Sequence, residues 1–319
     1  MKLRLVPGWS ALIILVLEFA FFAVILARPG LPQTFANADN VALIFKYSGI
    51  YGICAIGAAM IIGAGGIDLA PGAVIALASV VTGHLFVESG WPLGAAMAAG
   101  LAVGLASGGL AALLVVGARL PPFIATLGVM GIARGLAFLI TEGRFYDLSR
   151  WVAAGAAPLG VPLSAWPGLL MIGLAVVFQA VMTRTALGRH VLATGGNETA
   201  AYYAGVRVDR VKAFVYVSGG LLAALSGVVL AVVQGQGKAD LASGYELDVI
   251  AAAVVGGASL SGGRASVVGA VLGALIFGVL RNALTQIPGG TFADRLILGV
   301  AVLVIVVLDR LASGSHRSR

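Results

Sequence analysis

Long apolar runs, separated by short polar or glycine- and proline-containing breaks, dominate the hydrophobic pattern of this chain. Runs of roughly 20 apolar residues are long enough to cross the hydrocarbon core of a bilayer, which is about 30 Å thick. The first run is longer than the apolar core of a signal peptide, so we expect it to be retained as a span. The pattern predicts about ten spans, at residues 9–27, 41–64, 68–87, 93–118, 123–140, 166–182, 213–233, 247–261, 265–284 and 295–311.

Composition supports the same class of protein. Of the 319 residues, 60% are hydrophobic and only 10% are charged, and the mean hydropathy is +1.04. Soluble domains usually carry about 25% charged residues. The fold class is therefore all-α, a polytopic transmembrane helical bundle, and we expect a single transmembrane domain over residues 1–319. The eighth run is short and rich in glycine and alanine, which is typical of a partly re-entrant segment.

The net charge of +7 does not indicate nucleic-acid binding, because basic residues in a membrane protein usually report its orientation. The favoured topology has both termini in the cytoplasm. Arg134 falls inside the fifth predicted span and belongs to neither side. The predicted inner residues are Lys2, Arg4, Arg119, Arg184, Arg189, Arg207, Arg210, Lys212, Arg264, Arg310, Arg317 and Arg319; the outer ones are Arg28, Lys46, Arg144, Arg150, Lys238, Arg281 and Arg295.

The largest polar interruption is residues 184–212, which we call the 184–212 segment. It is too polar to enter a bilayer and too short to be a catalytic domain. Gly195 and Gly196 permit a turn, Asn197 can cap a short helix over 199–204, and Gly205 can end it. A short cytoplasmic helix between spans suits docking to a partner protein. An ordinary solvated connection is the alternative.

Four ionisable residues lie at or near membrane depth: Asp68, Arg134, Glu246 and Asp248. Such charges are costly in lipid, so they must pair, reach water or lie at an interface. One interpretation is a polar pathway for a hydrophilic solute. The other is structural: Asp68 and Glu246 stand where spans begin, near the positive end of the helix dipole, and Arg134 could make an interhelix contact. Capping is favoured for the first two, and both roles stay open for Arg134.

A weak internal echo suggests an inverted-topology repeat. Residues 66–69 (GIDL) lie between an apolar helix and a small-residue helix, and residues 244–247 (GYEL) do the same in the second half. Transport folds often place a pathway between two such halves. Separately, small residues one turn apart at 100, 104 and 108, and again at 269 and 273, predict close helix packing.

Other chemistry finds little support in the residues. The glycine-rich stretch 257–264 (GASLSGGR) lacks the Gly-Lys-Ser/Thr of a phosphate-binding loop, because Gly263 and Arg264 stand at those positions. His84, His190 and His316 are far apart and have no metal-ligand spacing. A nucleophile with a matching acid/base pair is also missing from the pattern. We therefore expect no enzyme activity, no metal site and no cofactor in this chain.

Four stretches make the chain resemble the membrane permease subunits of bacterial ATP-binding-cassette (ABC) importers for monosaccharides, the ribose-type family. They are GGIDLAPGAVIAL (65–77), PPFIATLGVMGIARGLAFLITEGR (121–144), LGRHVLATGGNETAAYYAGVRVDRVK (187–212) and GYELDVIAAAVVGGASLSGGRASVVGAVLGALIFGVLRNAL (244–284). They follow the family's order. The chain departs from the family's common residues at Ala70-Pro71, Ala258 and Ala283, which bears on the identity of the solute more than on the family.

The resemblance implies a multi-pass protein of the bacterial inner membrane. Its partners would be ABC ATPase subunits that bind ATP and magnesium, an extracytoplasmic sugar-binding protein, and a second permease copy or homologue. The solute would be a pentose or related monosaccharide, carried by alternating access. Within the 184–212 segment, the resemblance assigns the ATPase-coupling role to Gly195, Gly196, Asn197, Glu198, Ala200, Ala201 and Gly205. The alternative is a stand-alone, ion-coupled secondary transporter of a small polar solute.

Overall fold

The computed structural model describes residues 9–28, 33–149 and 160–290, together with scattered residues between 292 and 303. The described part is mostly helical, as the apolar pattern predicts. Its α-helices are α1 (Trp9–Leu26), α2 (Ala38–Gly63), α3 (Pro71–Val87), α4 (Leu93–Ala112), α5 (Pro122–Thr141), α6 (Trp166–Arg184), α7 (Ala186–Gly196), α8 (Glu198–Tyr203), α9 (Val208–Gln234), α10 (Tyr245–Val255) and α11 (Val267–Thr285). A π-helical turn, Leu113–Gly117, extends α4, and a 3₁₀ turn, Leu163–Ala165, precedes α6.

Six helical stretches of the described residues are long and apolar enough to cross a membrane: Ala38–Gly63, Leu93–Gly117, Pro122–Thr141, Leu163–Arg184, Val208–Gln234 and Val267–Thr285. Ser10–Leu26 and Pro71–Val87 are shorter apolar helices. The eighth predicted span corresponds to α10, which has only 11 residues and is too short to cross. The tenth predicted span, at 295–311, lies largely outside the described residues, so the count of ten stays a prediction.

Local sequence explains where several helices begin. Asn37, Thr185, Asn197 and Ser266 each precede a helix, and each side chain accepts a hydrogen bond from a backbone N–H in the first turn. This satisfies a donor that the helix itself leaves without a partner. Pro71 occupies the first turn of α3, where a missing N–H costs nothing.

The helices divide into a central and a peripheral group. α2 and α9 pack against each other; α9 also packs on α3 and α4, and α2 on α6, α10 and α11. By contrast, the outer faces of α1, α5 and α6 expose large apolar side chains such as Val24 (68% exposed), Leu139 (75%) and Val176 (66%). Apolar surface on this scale is expected to face lipid or another membrane helix.

Glycines allow the central helices to approach closely, as the spacing at 100, 104 and 108 predicts. A Cβ added to Gly104 would lie 2.4 Å from the carbonyl oxygen of Gly220, and one added to Gly108 would lie 2.5 Å from that of Tyr216. α11 contacts α10 in the same way, because a Cβ on Gly273 would lie 2.0 Å from the oxygen of Ala252. In lipid, the hydrophobic effect does little to hold helices together, so close backbone packing of this kind stabilises their association instead.

A two-stranded antiparallel sheet at one end of the bundle was not predicted from the sequence. β1 (Phe145–Asp147) pairs with β2 (Gln236–Lys238), and Tyr146 lies opposite Gly237. Three-residue strands carry too little hydrophobic alternation to be recognised. The pairing joins the residues after α5 to those after α9, so it marks the end of the bundle opposite the 184–212 segment. Residues 150–159 of the loop predicted at 141–165 lie outside the described residues.

Candidate functional site

The 184–212 segment folds into two short helices, α7 and α8, that meet at Asn197. The backbone of Asn197 is extended, with φ −160°, and its side chain accepts a hydrogen bond of 2.9 Å from the N–H of Ala200. The predicted asparagine cap is therefore present, although α8 begins at Glu198, one residue earlier than expected. Gly205, with φ +85°, follows the end of α8. The sequence did not predict α7, because Gly195 and Gly196 at its end favour a turn.

Gly195 connects this segment to two loops of the membrane bundle. A Cβ added to Gly195 would lie 2.0 Å from the oxygen of Gly63 and 2.7 Å from the nitrogen of Gly263. The N–H of Gly263 donates a 3.0 Å hydrogen bond to the same oxygen of Gly63. Gly262 and Gly263 have φ +78° and +75°, which favour glycine, and they belong to the turn that follows α10. Three pieces of backbone are thus in direct contact.

An ion pair supplies a second connection. The Nζ of Lys212 on α9 lies 2.6 Å from Oε1 of Glu198, and their side chains are 21% and 57% exposed. The two residues line a cavity of about 140 Å³, together with Gly66 and the buried Tyr216. The first turn of α8 is therefore fastened to the first turns of α9, and the space beside the pair leads toward the end of α2.

The face of α8 that points away from the bundle is aromatic. Tyr202 and Tyr203 are 67% and 82% exposed, and their rings lie 5.7 Å apart. Ala200 is exposed as well, whereas Ala201 is only 5% exposed and faces the bundle. Exposed aromatic residues are enriched at protein–protein interfaces. Such a face suits docking better than a plain solvated connection.

Two short helices, α3 and α10, begin close together inside the bundle. A Cβ added to Gly72 would lie 2.5 Å from both the oxygen of Ala242 and Oε2 of Glu246. Asp68 lies just before α3, and its Oδ1 accepts a 2.8 Å hydrogen bond from the N–H of Ala70. Both predicted capping residues therefore stand at helix starts, where a carboxylate is favourable. The formal N-cap of α3 is Ala70, so Asp68 stabilises the turn before the helix and makes no cap bond of its own to α3.

Arg134 joins α5 to the turn that precedes α10. Its Nη1 donates to the carbonyl oxygen of Ala239 at 2.6 Å and to that of Leu241 at 2.9 Å. Asp240 and Glu246 attract the guanidinium electrostatically. Arg134 therefore has a structural contact, but with the turn before α10 and not with a second helix as expected; the pathway role stays a prediction.

Asp248 has a partner that sequence reasoning missed. Nη2 of Arg281 on α11 lies 2.7 Å from Oδ2 of Asp248, whose side chain is 6% exposed. Arg281 also donates to the hydroxyl of Tyr51, and its guanidinium lies 5.2 Å from the ring centre of Tyr51 and 5.9 Å from that of Tyr245. Arg281 had been assigned to the outer side. It is the only basic residue within the ninth predicted span, and that signal could have identified it.

The candidate residues thus fall into two groups rather than one site. The glycines and Glu198 lie at one end of the bundle, while Asp68, Arg134, Glu246 and Asp248 surround the starts of α3 and α10. Within the described ranges, no group of three or more His, Cys, Asp or Glu side chains is placed to hold a metal ion. Broken helices that meet inside a membrane bundle are the arrangement that transport proteins use around a pathway. The class that fold and geometry define is therefore a membrane permease.

Comparison with known proteins agrees. Residues 40–307 match the family described as the permease component of the branched-chain amino acid transport system, and the chain belongs to that family. The chain is similar to the ribose import permease protein of Escherichia coli K12, with 35% identity over 292 residues covering 88% of each chain. It is 33% identical to the D-allose permease protein of that strain (92% of this chain, 91% of the relative) and 33% to its L-arabinose permease protein (89% and 86%). No solved structure matches the chain.

Proposed function

We propose that this chain is the permease subunit of an ABC importer that carries a small sugar, a pentose or related monosaccharide, into the cytoplasm by alternating access. ATP and magnesium would bind to partner ATPase subunits, and this chain would perform no chemistry. The supporting relatives are sugar permeases by name. The observation that carries the proposal is the position of the 184–212 segment relative to α3 and α10.

That position gives a physical route for coupling. Gly195 contacts the loop at Gly63, which leads into α3, and the loop at Gly262 and Gly263, which follows α10. A displacement of α8 and the adjoining end of α7 by an ATPase would therefore act on both short helices, because Gly195 of α7 makes backbone contacts that leave no free space. Close-packed contacts transmit movement because they cannot be compressed. In this scheme Asn197 and Glu198 keep α8 aligned, and Tyr202 and Tyr203 meet the ATPase.

The charges around the helix starts favour a neutral solute. Helix N-termini attract anions, and transporters of anionic solutes use them for that purpose. Here Asp68 stands before α3 and Glu246 lies against Gly72 in its first turn, so carboxylates of this chain already occupy that position. A sugar hydroxyl is compatible with this arrangement, whereas a second negative charge is repelled.

The assembly would contain two permeases, identical or homologous, two ATPase subunits and an extracytoplasmic sugar-binding protein. The permease would lie in the inner membrane of a bacterium, with both termini and the 184–212 segment in the cytoplasm. An inverted repeat is supported by the shared pattern of α2 with α3 and α9 with α10, in which a long central helix is followed by a short one that begins inside the bundle.

The test is uptake by membrane vesicles that contain the whole assembly and receive ATP on the cytoplasmic side. We expect accumulation of a labelled pentose that stops when the ATPase partner carries an inactivating substitution. Continued uptake with the inactive ATPase would refute the proposal. Liposomes containing the purified chain alone provide the complementary measurement, because ion-driven uptake there would support the secondary-transporter alternative.

A further inference from the structure

We propose that Arg134 and Arg281 are positioning residues for transport: they hold the segment 239–248 against the start of α3. We call residues 239–248 the re-entrant segment. The inference rests on the proposed function, since it concerns how the two short helices are kept in place. It assigns one common role to the two arginines, whereas the sequence pattern offered only an interhelix contact or a pathway role for Arg134 and none for Arg281.

The first support is the backbone of the re-entrant segment. Between β2 and α10 the chain turns back into the bundle, and Ala242 and Gly244 have φ +55° and +91°. Its carbonyl groups cannot all bond within a regular helix. Ala239 and Ala242 are only 2% and 6% exposed, and a buried backbone carbonyl without a donor is costly. The carbonyls of Ala242 and Gly244 accept from the backbone N–H groups of Tyr245 and Leu247, whereas those of Ala239 and Leu241 are bonded by a side chain.

Arg134 supplies that donor from the middle of α5. One nitrogen, Nη1, bonds the oxygens of Ala239 and Leu241, at 2.6 and 2.9 Å. Hydrogen bonds from a charged donor are stronger than neutral ones. The negative charges of Asp240 and Glu246 add attraction from the same segment. Arg134 thus fastens the descending part of the segment to α5.

Arg281 holds the other end from α11. It pairs with Asp248 in the first turn of α10 at 2.7 Å and also donates to Tyr51 of α2. Tyr245 stacks near Tyr51, with ring centres 4.4 Å apart. The segment is therefore held by α5 at its beginning and by α2 and α11 at its end. Its tip at Ala242 lies between these points, directly over Gly72 of α3.

Cysteine accessibility at the tip tests this directly. Ala242 is 6% exposed, so Ala242→Cys in a Cys54→Ala background reports whether the tip stays packed on α3. The assembled importer in membranes is treated with a small maleimide, and the labelling rate is measured without ATP. We expect Arg134→Gln and Asp248→Asn each to raise the rate by about 10-fold or more, because each removes a charged hydrogen bond that holds the segment.

Matched variants keep the test interpretable. Arg144→Gln removes an arginine whose side chain is 75% exposed and should leave the rate unchanged. Arg134→Lys keeps the positive charge but has fewer hydrogen-bond donors, so we expect a labelling rate between those of the parent and Arg134→Gln. If Arg134→Gln does not assemble, the lysine variant decides. Labelling at the parent rate in both the arginine and the aspartate variants, in assembled complexes, would overturn the inference.

The transport readout separates this inference from the proposed function. If the parent chain shows no ATP-dependent uptake, the proposed function fails. If the parent transports and the variants label at its rate, only the positioning role fails. Where the role holds, Arg134→Gln should lower the maximal rate of ATP-dependent uptake more than 10-fold while Arg144→Gln leaves it unchanged.

Discussion

The 184–212 segment and the re-entrant segment both join polar residues to a hydrophobic bundle, but they do so in opposite environments. Glu198 pairs with Lys212 while its side chain is 57% exposed, whereas Asp248 pairs with Arg281 while only 6% exposed. Water screens the attraction between Glu198 and Lys212. The lower dielectric around Asp248 strengthens its attraction to Arg281, and it raises the free-energy cost of removing one partner of that pair. The difference suggests a division of roles: the exposed pair aligns a docking helix, and the buried pair maintains the structure.

In both regions, glycines are in direct contact with the backbone of a neighbouring segment. The two regions therefore do not differ in how closely their backbones pack. Gly195 meets Gly63, and Gly72 meets Ala242, at distances that exclude a methyl group. What distinguishes the regions is therefore the electrostatic contact. The predictions below separate the two contributions, from the largest expected effect to the smallest.

Loss of the buried pair should have the largest effect on stability. Asp248→Ala leaves the charge of Arg281 no longer balanced by that carboxylate. Breaking a fully buried pair typically costs about 3–5 kcal/mol, and because the Arg281 side chain is 25% exposed we expect a loss at the lower end of that range. The thermal unfolding midpoint of the purified complex in detergent measures the loss. Asp209→Ala, at an exposed position in the first turn of α9, is the control and should unfold close to the parent. An unchanged midpoint for Asp248→Ala would contradict the assignment.

A methyl group at Gly195 should have the second largest effect on stability. Gly195→Ala places a Cβ against the backbone of Gly63, and overpacking of this kind costs about 1–3 kcal/mol. We expect a lower unfolding midpoint and a larger loss of ATP-driven uptake. Gly128→Ala is the matched control, because nothing lies within 4 Å of a Cβ there. Equal uptake by the two variants would show that the Gly195 contact does not transmit movement.

Loss of the exposed pair should barely change stability but should uncouple transport. Glu198→Gln removes an attraction worth up to about 1 kcal/mol at a partly exposed site. ATP hydrolysis by the assembly should continue while uptake per ATP falls. Combining Glu198→Lys with Lys212→Glu restores the pair with its charges exchanged, and should recover uptake relative to Glu198→Lys alone. A double variant no better than the single one would argue against the alignment role.

The smallest effect is expected at the sheet. Nζ of Lys238, at the end of β2, lies 2.8 Å from Oδ2 of Asp240, near the start of the re-entrant segment, and the two side chains are 43% and 53% exposed. Lys238→Gln should change the unfolding free energy by less than about 0.5 kcal/mol, because solvent screens the pair. Denaturant titration of the purified complex measures this. A loss as large as that for Asp248→Ala would remove the distinction between buried and exposed pairs.

The sequence by itself determined the class of this protein and the position of its main helices. Apolar runs of membrane length, glycine spacing on α4 and α11, and the asparagine before α8 are local signals, and each led to the right element. Family resemblance came from contiguous stretches of the chain, which is why the comparisons agree with it.

Only the tertiary structure decided which polar groups meet. Arg134 contacts residues 239 and 241, and Asp248 pairs with Arg281, across separations in sequence that no periodicity reports. The same holds for Gly195, whose contacts with Gly63 and Gly263 join α7 to the end of α2, which leads into α3, and to the turn that follows α10. Hydrophobic pattern specifies how far a residue enters the membrane and which face of a helix it lies on. The choice of partner within the bundle depends on how the helices pack, and that choice is made by the whole chain at once.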